Sequence, residues 1–258
     1  MTQQEILQTA LAQSAIDSGC HPEDFLSGEN KVVLSQAHPE ARKYLQLPFF
    51  CDFTTYGSGI VASVDPRAAD FVKAFLARFP AEQCFETPAM HLLTQAFEKY
   101  DAGPCFMAEY FLPELRLLEP RPCPYEIRIL QPEDFAGLYQ KQWSNALCSK
   151  RRSLDRLAAG AYDKGRLVGL AGASADCETM WQIGIDVLPE CRRAGVASAL
   201  TARLALELLQ RGKVPFYCCA WSNLASARNA IKSGFRPAWV QLTSVKRQRI
   251  EQLLSERE

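Results

Sequence analysis

The sequence predicts an α/β protein with a mixed sheet, organised as two domains. Three observations carry that reading. Apolar runs of strand length alternate with amphipathic helical stretches along the 258 residues. Pro120, Pro122 and Pro124 can neither continue a helix nor sit in a central strand, so they separate residues 1–124 from 125–258. Charge divides at the same place: residues 1–124 carry 9 Lys+Arg against 16 Asp+Glu, and residues 125–258 carry 20 against 13. An acidic half joined to a basic half suits two domains with different partners, or two that attract each other.

The elements follow from periodicity and punctuation. Ile6, Ala10 and Leu11 share one face of a helix over about 2–18. A strand at 31–35 precedes strands at 48–54 and 59–64. The last two are joined through Tyr56-Gly57-Ser58-Gly59, a hairpin turn rather than a phosphate loop, because a strand follows it and not a helix. Asp65-Pro66 opens a helix to about 78, with Pro in its first turn. A helix over 87–100 and a strand over 104–112 complete the first half.

Beyond the prolines comes a strand at 125–130, and Pro132 starts a helix to about 146. Strands 157–162 and 166–173 meet at the hairpin signal Asp163-Lys164-Gly165. A strand over 179–187 follows a turn through Asp176. Val196, Leu200, Leu204 and Leu208 make the buried stripe of a helix over about 195–211, which Gly212 ends. Strand 214–220, a helix over 223–233 ended by Gly234, and strand 235–242 follow. The remaining residues read as a polar terminal helix.

Composition excludes several classes. Hydrophobic content of 48% and charged content of 22% are those of a soluble globular protein. No apolar run approaches the roughly 20 residues that cross a bilayer, so no membrane partner is expected. The start, MTQQEILQTALAQ, lacks the basic region and apolar core of a secretory signal. The ten cysteines are scattered, without C-x-x-C or zinc-site spacing, which suits buried thiols in a reducing cytoplasm. His21, His38 and His91 have no partner at metal spacing, so no metal is expected. The short clusters Lys150-Arg151-Arg152 and Lys246-Arg247-x-Arg249 read as solvated surface. They are not the basic stripe with interleaved aromatics of a nucleic-acid site.

The most informative stretch is WQIGIDVLPECRRAGVASAL, from Trp181 to Leu200. A strand stops at Pro189, Arg192-x-x-Gly195-x-Ala197 forms a loop, and a helix begins at once. Unpaired N–H groups at a helix start, backed by the positive end of the helix dipole, make a phosphate site. Glycine in such a loop lets the backbone approach the phosphate closely.

This junction, with Val187-x-Pro189-Glu190 before it and Asn223 then Gly234-Phe235 after it, resembles the GNAT superfamily of acetyl-CoA-dependent N-acetyltransferases. The strand order β-α-β-β-β-loop-α-β-α-β is similar as well. The resemblance covers roughly residues 125–242, leaving a smaller α/β N-terminal domain at 1–124, and the two-domain layout looks like a bacterial-type subgroup with an N-terminal extension. It implies that backbone amides of Arg192, Arg193, Ala194, Gly195, Val196, Ala197 and Ser198 hold the coenzyme A pyrophosphate. It further implies that Ile185, Asp186 and Val187 lie beside the pantetheine arm, and that Asn223, with Ser226 on the same helix face, contacts it. From the residues alone, Asn223 equally suits a helix N-cap, a role Ser222 could fill instead.

Acetyl transfer from a thioester to an amine needs a group to take the amine proton, a donor for the oxyanion and a departing thiolate. Many family members place a tyrosine seven residues after the helix asparagine to protonate that thiolate; here Ala230 stands there. Water, Tyr217 or Ser226 remain for the task. Glu178 and Asp186 flank the strand nearest the thioester and are the candidate bases, provided burial raises their pKa. Trp181 and Trp239 suit either a water-excluding wall or the core.

The expected function is therefore acetyl transfer from acetyl-CoA to a primary amine, of a small molecule in preference to a protein, by direct attack in a ternary complex. The rival readings are a longer acyl donor or a catalytically silent acyl-CoA-binding module. No nucleic-acid partner is expected, and a homodimer is among the assembly states left open.

Overall fold

The computed structural model describes residues 1–255. Its elements run α1 (Gln3–Ser18), β1 (Lys31–Leu34), β2 (Cys51–Thr55), β3 (Ile60–Val64), α2 (Ala69–Arg78), α3 (Thr87–Glu98) and β4 (Ala102–Pro113). Then come β5 (Glu126–Leu130), β6 (Asp155–Asp163), β7 (Arg166–Ser174), β8 (Met180–Val187), α4 (Val196–Gln210), β9 (Val214–Ala220), α5 (Leu224–Lys232), β10 (Phe235–Lys246) and α6 (Arg247–Ser255). The fold class is the α/β mixture expected from periodicity.

Two compact units emerge, and they do not divide at residues 119–125. One comprises Met1–Ala10 and Tyr110–Pro237; the other comprises Leu11–Glu109 and the chain from Ala238 onward. The chain changes unit inside α1, inside β4 and again inside β10, so each unit is discontinuous in sequence. The prolines lie in the irregular stretch between the end of β4 at Pro113 and the start of β5 at Glu126, but that segment belongs to the larger unit, where Leu118 joins the core. Gly234 shows how closely that segment packs. A Cβ there would stand 2.7 Å from Leu118 Cα, and its φ of +95° already favours glycine.

In the larger unit the strands lie in the order β9-β8-β7-β6-β5. β8 and β9 are parallel, and the other pairs are antiparallel. The stripe Val196, Leu200, Leu204 and Leu208 is buried, as its spacing predicts, and α4 lies against β6, β7 and β8. Gly169 on β7 permits that approach, since a Cβ there would stand 2.9 Å from Val196 Cγ1. The helix expected over 132–146 is replaced by short 3-10 turns at Pro132–Asp134 and Lys141–Trp143. Asp134 accepts from the Gln131 amide at 2.9 Å, closing the first turn on itself. Phe135, Trp143, Ala146 and Leu147 are then buried against Ala158 and Leu170 by an irregular path. Tertiary burial of the same apolar residues has overridden the helical spacing.

In the smaller unit the order is β1-β3-β2-β10. The β2–β3 hairpin closes through Tyr56–Gly59, with Thr55 opposite Ile60. One sheet face, with Phe53, Ala62 and Leu242, packs in a single core with Val72, Phe75, Leu93 and Phe97 of α2 and α3. The alternate positions form a polar buried row, because side chains alternate along strands. Asp52, 1% exposed, stands opposite both Ser63 and Thr243 in the ladder. Its carboxylate accepts from Thr243 Oγ1 at 2.5 Å, Gln241 Nε2 at 2.9 Å and Thr54 Oγ1 at 3.0 Å.

Burial pushes the Asp52 carboxyl up to about 6, against the hydrogen bonds from Thr243, Gln241 and Thr54, which pull it down. The folded chain thus holds this proton more tightly than the unfolded chain. Asp52 costs nothing below the unfolded value near 3.9, and its cost grows as pH rises to about 6. Asp52→Asn should therefore gain stability relative to wild type between about pH 4 and 6 and keep that gain above. Urea midpoints at several pH values test this; a pH-independent difference would mean that Asp52 titrates normally.

Candidate active site

The register between β8 and β9 sets the site. It pairs Met180 with Val214, Trp181 with Pro215, Gln182 with Phe216 and Ile183 with Tyr217, and there it ends. Gly184–Val187 keep β7 on one side, in register from Ala171↔Ile185 to Gly169↔Val187, but have no β9 partner on the other. A cleft of about 870 Å³ opens at this splay. Ile183–Val187 line it from β8, Tyr217, Cys218 and Cys219 from β9, and Asn223, Ser226 and Asn229 from α5 and its cap.

The far end of the cleft is the start of α4. Pro189–Cys191 makes a short 3-10 turn, Arg193 takes φ +64°, and Gly195 takes φ +81° as the N-cap. No side chain caps this helix. Ser198 Oγ is turned back to donate to Gly195 O at 3.0 Å. The leading amides of Val196, Ala197 and Ser198 are therefore left for a ligand, as an uncapped helix start leaves them. Arg192 Nε donates to Val187 O at 3.0 Å, tying the loop to the end of β8.

Ile185, Asp186, Val187, Arg192, Arg193, Gly195, Val196, Ala197, Ser198, Asn223 and Ser226 all line the one cleft. Ala194 is in the same loop but is not among the lining residues. Asn223 is the N-cap of α5, its Oδ1 accepting from Ser226 N at 3.1 Å, so the cap falls to Asn223 and not Ser222. Its amide nitrogen is the end that remains to meet a ligand. Ala230 is fully buried in the larger unit's core, where a methyl group fits the α4–α5 packing, and does not line the cleft.

Both candidate bases require correction. Glu178 does not line the cleft; it is exposed and paired with Lys213 Nζ at 2.6 Å. That lysine holds its carboxyl below the usual range, opposite to what a base needs. Asp186 does line the cleft, but its oxygens are occupied. It accepts from Asn145 N at 2.8 Å, Ala146 N at 2.9 Å and Asn145 Nδ2 at 2.6 Å. Asp186 is a clamp for the 144–147 segment. Asp176 in the preceding turn is fully buried and ion-paired with Arg151. Trp239 is in the smaller unit, stacked on Tyr56 at 5.4 Å, while Trp181 packs at the edge of the larger unit's core.

The sequence marks the loop 144–156 as shaping the pocket but not its clamping by Asp186, although a signal was present. Gly172 and Gly184 face each other in the β7–β8 ladder. A Cβ on either would collide with a carbonyl, of Ala146 and of Asn145 respectively. Glycine inside a strand marks a close backbone approach. Tyr217 is the other residue brought forward: its hydroxyl lies 2.7 Å from Ser226 Oγ at the cleft wall. Burial raises its pKa above the phenol value, outweighing the hydrogen bonds from Ser226 and Asn229.

The mixed sheet splays beside an uncapped, glycine-started helix, which leaves backbone donors for a phosphate-bearing ligand. A family model for the GNAT acetyltransferase matches residues 82–238, more than half of the chain, and the chain belongs to that family. The match begins upstream of residue 125 and so takes in β4, which the resemblance had left out. Among solved structures, the chain is similar to a GNAT-family protein from Novosphingobium aromaticivorans, with 18% identity, 56% of this chain and 66% of that chain covered, and a TM-score of 0.40. A GCN5-related N-acetyltransferase-like protein from Streptococcus suis gives 18% identity, 62% and 69% coverage and a TM-score of 0.44. An aminoglycoside N-acetyltransferase solved in complex with CoA gives 22% identity, 47% and 93% coverage and a TM-score of 0.36. The chain thus spans about two thirds of the length of the first two. No curated protein matches it. Among the described residues there is no group of three metal-binding side chains, and no helix is long and apolar enough to cross a membrane.

Proposed function

We propose that this protein transfers an acetyl group from acetyl-CoA to a primary amine of a small molecule, by direct attack in a ternary complex in the cytoplasm. The observation that carries this reading is the end of β8–β9 pairing at Ile183 and Tyr217, in a cleft that leads to the uncapped start of α4. The amides from Arg193 to Ser198 suit the pyrophosphate of the coenzyme, while that of Arg192 donates to Pro189 O at 3.3 Å. The unpaired edge at Ile185, Asp186 and Val187 suits its amide-bearing arm, and Asn223 and Ser226 face that arm from α5.

In this reading a backbone N–H on the β8 edge donates to the oxyanion formed when the amine attacks the carbonyl carbon. The amine proton leaves to water, because Asp186 is occupied and Glu178 lies elsewhere. The C–S bond breaks, Tyr217 gives its hydroxyl proton to the departing sulfur, and water returns a proton to the phenolate through Ser226 Oγ, 2.7 Å away, which takes one as it gives one. A thiol with a pKa of about 8.5 needs only modest help to leave. Tyr217→Phe should accordingly lower kcat by about tenfold and leave coenzyme affinity unchanged. An unaltered kcat would remove Tyr217 from the chemistry.

The excess of acidic residues in the first half suits a cationic acceptor. The rival reading, a silent acyl-CoA-binding module, draws on one observation: neither Glu178 nor Asp186 is placed as a base. Calorimetric titration with acetyl-CoA, followed by polyamines, amino acids and aminoglycosides, separates the two. Binding with heat of reaction from one amine supports the enzyme. Tight binding without turnover of any amine favours the module, and no binding defeats both.

A further inference from the structure

The smaller unit buries three charged side chains: Asp17, Arg42 and Asp52 are 4%, 3% and 1% exposed. Arg42 and Asp17 lie 2.6 Å apart, so their charges cancel. Asp52 has no cationic partner among the described residues, and its three donors, Thr243, Gln241 and Thr54, are neutral. One buried carboxylate is therefore left without an opposite charge. An ionised carboxylate in a dry interior is costly unless a cation accompanies it.

Ser63 supplies an independent observation. It stands opposite Asp52 in the β2–β3 ladder, so the two side chains share a sheet face, with Cβ atoms about 4.5–5.5 Å apart as in any such pair. Ser63 is 1% exposed, and its hydroxyl oxygen has no hydrogen-bond partner among the described residues. A buried hydroxyl left unpaired is costly in its turn. The face is closed over by α1, whose Leu11 and Ala15 pack with Val61, two residues before Ser63 on the same face. A water molecule would satisfy the hydroxyl but not the charge. A cation between the two residues satisfies both.

We propose that Asp52 and Ser63 bind one small monovalent cation, an alkali metal or ammonium ion, with the hydroxyl oxygens of Thr54 and Thr243 beside it. The charge sets the valence, since a divalent ion would leave one positive charge buried beside a single carboxylate. Burial sets the size: Thr54 and Gln241 are 4% and 6% exposed, which leaves no room for a bulky organic substituent. The threonine hydroxyls donate to Asp52 through hydrogen and keep lone pairs for the ion. Histidine and cysteine spacing, on which the expectation of no metal rests, does not register such a site, because hard cations take oxygen ligands. The site is independent of the coenzyme cleft and of the acetyl-transfer reading.

The test is thermal unfolding of the full chain at pH 8 and fixed ionic strength in sodium, potassium, ammonium or choline chloride. Wild type should unfold about 3 °C or more higher in the chloride of one small cation than in choline chloride, and its midpoint should climb with the logarithm of that cation's concentration. Asp52→Asn keeps the shape of the side chain but not its charge, and should unfold at the same temperature in all four salts. Ser63→Ala should show a smaller shift than wild type. The advantage expected of Asp52→Asn above about pH 6 should stand in choline chloride and narrow in the salt of the bound cation. Equal wild-type midpoints in the four salts overturn the proposal and leave Ser63 to an ordinary buried water. A cation-specific rise that persists in Asp52→Asn overturns it too, since the ion then binds elsewhere. So does a shift as large in Ser63→Ala as in wild type.

Discussion

Gly195→Asp should lower the affinity for coenzyme A by about a hundredfold or more. Two effects combine at this position. Gly195 is the N-cap of α4 at φ +81°, a conformation that side-chain-bearing residues adopt at a cost of about 1–2 kcal/mol. A carboxylate there also places negative charge at the positive end of the helix, where the pyrophosphate is to sit. The contrast with Gly195→Ala isolates the second effect, because alanine brings the backbone strain without the charge. Its Cβ would have room, with Pro122 O at 3.5 Å the nearest atom. Calorimetry on both variants measures this. If Gly195→Asp keeps wild-type affinity, the loop from Arg192 to Ser198 does not hold the coenzyme.

Arg42→Ala should destabilise the protein by about 3–5 kcal/mol, because it strands a buried carboxylate. Arg42 and Asp17 are 3% and 5% exposed in their side chains and lie 2.6 Å apart. Asp17 also accepts from the Arg42 amide at 2.9 Å and from Gln13 Nε2 at 3.1 Å, while the guanidinium lies 5.3 Å from the centre of the Trp239 ring. Removing the arginine leaves the carboxylate with amide donors alone in a dry interior. The paired variant Arg42→Ala/Asp17→Ala should recover part of the loss, since it removes the stranded charge. Urea denaturation of the wild type and the variants gives the cycle. A loss below about 1 kcal/mol for Arg42→Ala would mean that the pair behaves as a surface contact.

Much of the site was legible because it is local in the chain. The loop Arg192–Ala197 needs only a strand end, a glycine and a helix start in succession, and these are contiguous residues. The stripe Val196, Leu200, Leu204 and Leu208 likewise needs only helical periodicity, and it is buried as expected. The surroundings of the two candidate bases were not legible, because the groups that engage them are far away in sequence. Lys213 beside Glu178 and the Asn145–Ala146 amides on Asp186 are both more than 30 residues distant. The helix expected over 132–146 failed for a related reason: Trp143, Ala146 and Leu147 find burial against β6 and β7 by an irregular route.

The domain division separates the two levels most clearly. Pro120, Pro122 and Pro124 dictate an interruption wherever they stand, since a ring at fixed φ without an N–H ends regular structure locally. Which compact unit each flank joins is decided by pairing and burial, and α1, β4 and β10 each pass from one unit to the other. The sequence by itself therefore determined most of the elements, the strand–glycine–helix junction and the family, all of which follow from short-range pattern. Only the tertiary structure decided where β8 parts from β9, which carboxylates are engaged and which cations face the cleft, because each depends on groups brought together from separate parts of the chain.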